Sequence, residues 1–246
     1  MFLSEQIFKI RTQRETIATN QVKSEEYDLY KKKTITIKDG VTVLVGCNGA
    51  GKTTLLHQIK DNLKKENIPV LSFDNLKEGG HNAISSAAFY NDFAFMGTAM
   101  ASSEGENIVM NIGKLASGLR EFIKTGESGK SSDKLSKAFA KAMWGNDTEN
   151  EEKEVPKERW LLLDAIDSGL SVDNIVDIKE YLFKTILADA DPDVAIYIIV
   201  SANEYEMARN ENCFDVYNGK YIKFKDYEEY RQFILDSKEQ KEKRYE

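Results

Sequence analysis

Residues Gly46 to Thr53 read Gly-Cys-Asn-Gly-Ala-Gly-Lys-Thr, between an apolar β-branched run, Val41 to Val45, and a helix-forming run, Thr54 to Lys65. That order constrains the local structure more than any other feature of the chain. A buried strand ends, glycines let the backbone turn sharply, and consecutive N–H groups converge at a helix start whose dipole favours an anion. The chemistry such a cradle serves is phosphate binding. Gly46, Cys47, Asn48, Gly49, Ala50 and Gly51 line it, Lys52 reaches the β- and γ-phosphates of a nucleotide, Thr53 offers a hydroxyl to Mg²⁺, and Thr54 follows in the first helical turn. The plain alternative is a Gly-rich strand-to-helix turn without a ligand; the flanking strand and helix favour the phosphate loop.

The bulk of the chain permits this. Its 246 residues, 41% of them hydrophobic, suffice for one large α/β core, alone or with a small subdomain. A net charge of −7 gives no whole-chain footprint for nucleic acid, so a nucleic-acid or protein partner is unsupported by charge, although Lys31 to Lys33 and Arg11 with Arg14 are locally basic. No apolar run reaches the length of a membrane span and Met1 to Lys9 lacks a signal-peptide layout, so a cytoplasmic protein is expected. Two cysteines, Cys47 and Cys213, make no disulfide framework, and two histidines leave no Cys/His zinc set. Cys47 is either a redox-sensitive thiol activated by the helix start or a space-filling residue.

Along the chain, Gln6 to Arg14 and Thr34 to Lys38 read as strands of a small N-terminal antiparallel β subdomain, and Asp39-Gly40 as a turn into the loop strand. Leu55, Leu56, Ile59 and Leu63 recur at helical spacing and should face the sheet. Val70 to Phe73 resumes as a strand, Asn107 to Lys124 reads as a helix, and residues 125–159 as a mobile insertion with one amphipathic piece, Leu135 to Trp144. Trp160 to Asp164 and Val194 to Val200 are buried strands with a helix, Val172 to Asp189, between them. Asn218-Gly219 marks a hairpin between Phe214 to Tyr217 and Tyr221 to Phe224. The charged segment 226–246 reads as a helix with a solvated face. The whole, 1–246, is expected to be one domain.

A second chemical element is Trp160-Leu-Leu-Leu163-Asp164, an apolar strand that delivers a carboxylate to the sheet end where Thr53 stands, so that Asp164 can share Mg²⁺ with it. The run Leu162 to Ser171, Leu-Leu-Asp-Ala-Ile-Asp-Ser-Gly-Leu-Ser, resembles the Walker B and D-loop of ABC-type ATPases, and Gly46 to Leu55 resembles their Walker A. Between them, Ala101-Ser-Ser-Glu-Gly-Glu106 ahead of a helix looks like the signature motif of the SMC, RecF and RecN branch. Ser103 with Glu106 reads equally as a capping box.

The resemblance implies a P-loop NTPase of the α/β class with an ABC-ATPase-like core sheet and a helical insertion. It further implies a MgATP-binding homodimer in which Ser103 and Gly105 complete the partner's γ-phosphate site. Its functional setting would be DNA recombination, repair or mobile-element work. Asn203 stands where the family carries its switch His, or is an ordinary capping Asn after the strand; Ala165 stands where it carries the catalytic Glu, and Asp167 is either a structural carboxylate of the D-loop or the remaining group that can serve as base. Tyr27 or Tyr30 would stack on adenine, and Asn75 or Asn82 would replace the Q-loop Gln. The alternative is a nucleotide-gated binding or signalling protein with little or no hydrolysis.

Overall fold

Val43, Leu44 and Val45 are all buried, yet they point to opposite faces of a sheet: Val43 and Val45 join one apolar cluster and Leu44 the other. The same split divides Leu161 and Leu163 from Trp160 and Leu162, and Ile196, Ile198 and Val200 from Tyr197 and Ile199. Continuous apolar runs of this kind are the mark of strands covered on both faces. The computed structural model describes residues 5–11, 13–14, 27–78, 116, 118–126 and 157–244, and among these it shows a mixed α/β fold around a mostly parallel six-stranded sheet.

The described strands are β1 (Glu5–Lys9), β2 (Gln13–Arg14), β3 (Tyr27–Asp28), β4 (Thr34–Lys38), β5 (Gly40–Val45), β6 (Val70–Asp74), β7 (Glu158–Asp164), β8 (Ala195–Ser201), β9 (Asn212–Asp215) and β10 (Lys220–Ile222). The sheet order is β10-β9-β5-β8-β7-β6, parallel throughout except for the β9–β10 pair. Helix α1 (Lys52–Lys65) covers one face through Leu55, Leu56, Ile59 and Leu63, beside the antiparallel β1–β4 pair. The other face is covered by residues 118–125 and by the helical run after β7, while α2 (Asn75–Glu78) directly follows the edge strand β6. That run is α3 (Val172–Asp177), a π-helical stretch (Ile178–Phe183) and α4 (Lys184–Ala188), where one unbroken α-helix was expected. Helices α5 (Tyr205–Ala208) and α6 (Tyr227–Glu242) complete it.

Three local expectations are corrected. Gln6 to Arg14 is not one strand: the ladder breaks at Arg11, whose N–H donates to Gln58 Oε1 at 2.6 Å and whose carbonyl accepts from Gln58 Nε2 at 3.1 Å. A side chain of α1 has taken over the backbone pairing, and β2 then pairs with β3. The hairpin turn is longer than Asn218-Gly219, because the Asp215 carboxylate accepts the N–H groups of Tyr217 and Asn218 and ends β9 there. Helix α6 is not merely solvated: Tyr230 and Ser237 are buried, and Phe233 and Ile234 pack on the core. Most of 125–159, the segment expected to be an insertion, lies outside the described residues, including Leu135 to Trp144, as do Asn82, Ser103 and Gly105, while Glu158 and Arg159 belong to β7.

Candidate phosphate site

The glycine loop leaves β5 at Gly46 and enters α1 at Lys52. Ala50 N–H closes a turn onto Cys47 O at 3.0 Å, and Gly51 takes the left-handed region at φ 107° immediately before the helix. A side chain at Gly51 would be strained by that φ and would also meet the Tyr30 ring at 3.0 Å. Leu55 N–H donates to Gly51 O at 2.9 Å; the N–H groups of Gly51, Lys52, Thr53 and Thr54 precede it and form the opening turn, which has no intrahelical acceptors. No side chain caps this helix start. Asn48, Gly49 and Thr53 are exposed, whereas Gly46, Cys47 and Ala50 are buried. A donor-rich helix start open to solvent beside a buried loop stem can accept an anion.

Lys52 is itself buried, at 7% exposure, and its Nζ donates to Gly46 O at 2.7 Å and to Cys47 O at 3.4 Å. Burial pushes its pKa below the ordinary lysine value, opposed by Cys47, Asp167 and Asp164. The ammonium is therefore held inside the loop with two carboxylates near enough to act on it. A phosphate would give it a better partner than two carbonyls.

Asp164 ends β7, separated from β5 by β8. The last residue of β8, Ser201, donates its hydroxyl to Asp164 Oδ1, and Ser201 Oγ accepts Ala165 N–H at 2.9 Å. Ala165 is buried and left-handed, at φ 51°. Its carbonyl accepts Asn75 Nδ2 at 3.2 Å, and the same amide reaches Ser168 O at 3.0 Å. Asn75 thus fixes the turn after Asp164, with its own Oδ1 buried and without a partner among the described residues.

Asp167 follows in that turn at 1% exposure. Its Oδ2 accepts the N–H groups of Asn203 and Glu204, both at 2.7 Å, while Oδ1 is buried without a partner among the described residues. Burial raises its pKa above the usual carboxylate value, against those two hydrogen bonds. This geometry makes Asp167 the anchor of the segment after β8. The side chain of Asn203 is exposed, while its backbone is pinned between Asp167 and the Tyr230 hydroxyl, which donates to Asn203 O at 2.8 Å.

Tyr30 cannot stack on a base: it is 1% exposed, and its hydroxyl donates to Gly51 O at 2.7 Å beneath the loop. The side chain of Tyr27 lies outside the described part of the chain. Cys47 is buried in the core cluster of that face, which suits the space-filling role. A cavity of about 200 Å³ opens beside Asp164, lined by His57 and Lys60 of α1 and by Ser72 and Asp74 of β6. Asp74 is the register partner of Asp164.

Sequence reasoning missed Ser201, Ser237 and Lys241. Ser201 carries a readable signal, a lone polar residue closing an apolar strand; the other two sit on a helix whose docking no local pattern reveals. Among the described residues no three His, Cys, Asp or Glu side chains converge as a metal cage. A magnesium ion would need fewer, one hydroxyl and one carboxylate with water, and Thr53 and Asp164 are the residues that would offer them. No helix among the described residues is long and apolar enough to cross a membrane. Comparison with protein-family models, with curated proteins and with solved structures finds no match for this chain.

Proposed function

We propose that this chain is a P-loop nucleotide-binding protein that takes MgATP. The loop from Gly46 to Gly51 would cradle the phosphates, Lys52 would neutralise them, and Thr53 with Asp164 would hold the metal. The observation that carries the reading is the buried Lys52 ammonium, turned back onto Gly46 O at 2.7 Å at the mouth of an uncapped helix start. A buried cation whose hydrogen bonds among the described residues go to two carbonyls is costly, and an ordinary strand-to-helix turn has no need of one. Its burial at the opening turn of α1 fits a group that serves an anionic ligand.

The finer reading is an SMC/RecF-like ATPase that dimerises head to tail on ATP, through Ser103 and Gly105, and hydrolyses slowly. Support for slow turnover is local. Ala165 occupies the position after Asp164, and the nearest alternative base, Asp167, has one oxygen committed to two backbone N–H groups. That same observation favours the second reading, a nucleotide-gated binding protein whose ATP-bound state is itself the output.

Lys52→Ala tests the core of the proposal. The variant should keep the wild-type circular dichroism spectrum and lose MgATP binding by a factor of about 30 or more, the loss expected on truncating one partner of a desolvated charge pair. Equal affinity in titration calorimetry would remove the nucleotide reading. Mass measured by light scattering with ATP and with ADP then separates an ATP-driven dimer from a monomeric binder.

A further inference from the structure

We infer that the C-terminal helix α6 is a working part of the nucleotide loop, with Ser237 and Lys241 as positioning residues that hold residues 46–51 in their phosphate-accepting shape. The inference rests on the nucleotide reading above and assigns to the site residues nearly the length of the chain away from it. Two contacts carry it. The buried N–H of Cys47 donates to Ser237 Oγ at 3.1 Å, and Lys241 Nζ donates to Asn48 O at 3.0 Å. They grip the 46–47 and 48–49 peptide groups, on either side of the Cys47–Asn48 bond, as Tyr30 grips Gly51 O from the other end.

Gly49 shows how closely the helix is fitted. Its φ of 79° favours glycine, and a Cβ there would lie 3.4 Å from Lys241 Nζ. The helix is itself anchored. Tyr230 bonds Asn203 O, Phe233 and Ile234 pack on the core, and the Arg244 guanidinium lies 4.6 Å from the centre of the Tyr217 ring. Through Tyr230 and Ser237 one helix touches both the glycine loop and the segment that follows β8. Holding the loop in shape before the ligand arrives spares the ordering cost of binding. Release of the grip would leave the Cys47 N–H buried and unpaired, and the loop would reorient to find it an acceptor.

The test uses the full chain with Ser237→Ala, Lys241→Ala and Lys241→Arg, titrated with MgATP and, separately, with inorganic triphosphate. Ser237→Ala and Lys241→Ala should each weaken both ligands by about threefold to tenfold, the range for one hydrogen bond. Lys241→Arg should restore affinity, since a guanidinium also donates to Asn48 O. Amide exchange at residues 47–51 without ligand should quicken in Ser237→Ala, while the thermal midpoint of Lys241→Ala stays near wild type. Wild-type affinity in both Ala variants with unchanged loop exchange, alongside loss of binding in Lys52→Ala, would overturn this inference and leave the nucleotide reading standing. A loss for ATP but not for triphosphate would also overturn it, because the helix would then act on the nucleoside. A wild-type chain that binds neither ligand would refute the nucleotide reading, and this inference with it.

Discussion

Replacing Asp167 with Ala removes the acceptor of two N–H groups at once, and the structure allows the cost to be worked out. Both hydrogen bonds are 2.7 Å long, the carboxylate is 1% exposed, and bonds to a charged group contribute about 1.5–3 kcal/mol each. Against that gross loss stands the burial of an ionised carboxylate whose second oxygen has no partner among the described residues, which the variant relieves. A net destabilisation of about 3 kcal/mol results, or a fall in Tm of roughly 6–12 °C for a chain of this size. Asp167→Asn keeps an acceptor oxygen and gives up the charge, so it should stay within about 1 kcal/mol of wild type.

The pH dependence has a definite sign. Because burial raises the native pKa above its unfolded value, the native state binds more protons between the two values. Stability from this group therefore falls as pH rises through that window and is level above it, a slope that Asp167→Asn should abolish. Urea unfolding followed by circular dichroism from neutral to acid pH measures all three proteins. The reasoning fails if Asp167→Ala lies within 1 kcal/mol of wild type or if Asp167→Asn is as damaged as Asp167→Ala, since either result would mean that the two hydrogen bonds do not hold the segment after β8.

Ala165→Glu should raise ATP turnover by about 10²–10⁴, the contribution of a positioned general base, as measured by phosphate release; unchanged turnover would place the base elsewhere. Trp160→Ala should cost about 3–5 kcal/mol in chemical denaturation, because its ring is fully buried and stacks on Tyr197 with centroids 4.0 Å apart. Cys213, its thiol pushed up to about 12 by burial, should resist a thiol reagent at pH 8 in the native protein and react only on unfolding; prompt labelling would contradict its burial.

How far the sequence reaches depends on the distance over which each feature is decided. The glycine loop, α1 and the β7 carboxylate were legible because strand, turn and helix follow one another within a few residues, and their periodicity and glycine placement act locally. Thr34 to Lys38 emerged with the expected bounds, and the apolar runs of β7 and β8 read as buried strands, as side chains on both of their faces are covered. The break at Arg11 was hidden, since it depends on Gln58, 47 residues away. The length of the β9–β10 turn turned on whether Asp215 would cap it, a choice its neighbours alone do not dictate.

The site divides the same way. Gly46 to Thr54 and Asp164 could be named from local order, whereas Ser201 joined them only when β8 settled between β5 and β7. Tyr30 carries an aromatic ring suited to stacking, but the packing of β4 and α1 buried it under Gly51 and gave it a structural task. For α6 the chain shows a polar, highly charged helix with few apolar residues. Only the tertiary fold brings its Ser237 and Lys241 onto Cys47 and Asn48, across separations of 190 and 193 residues, because contacts that distant are set by which faces must be buried and not by any pattern in the segment itself.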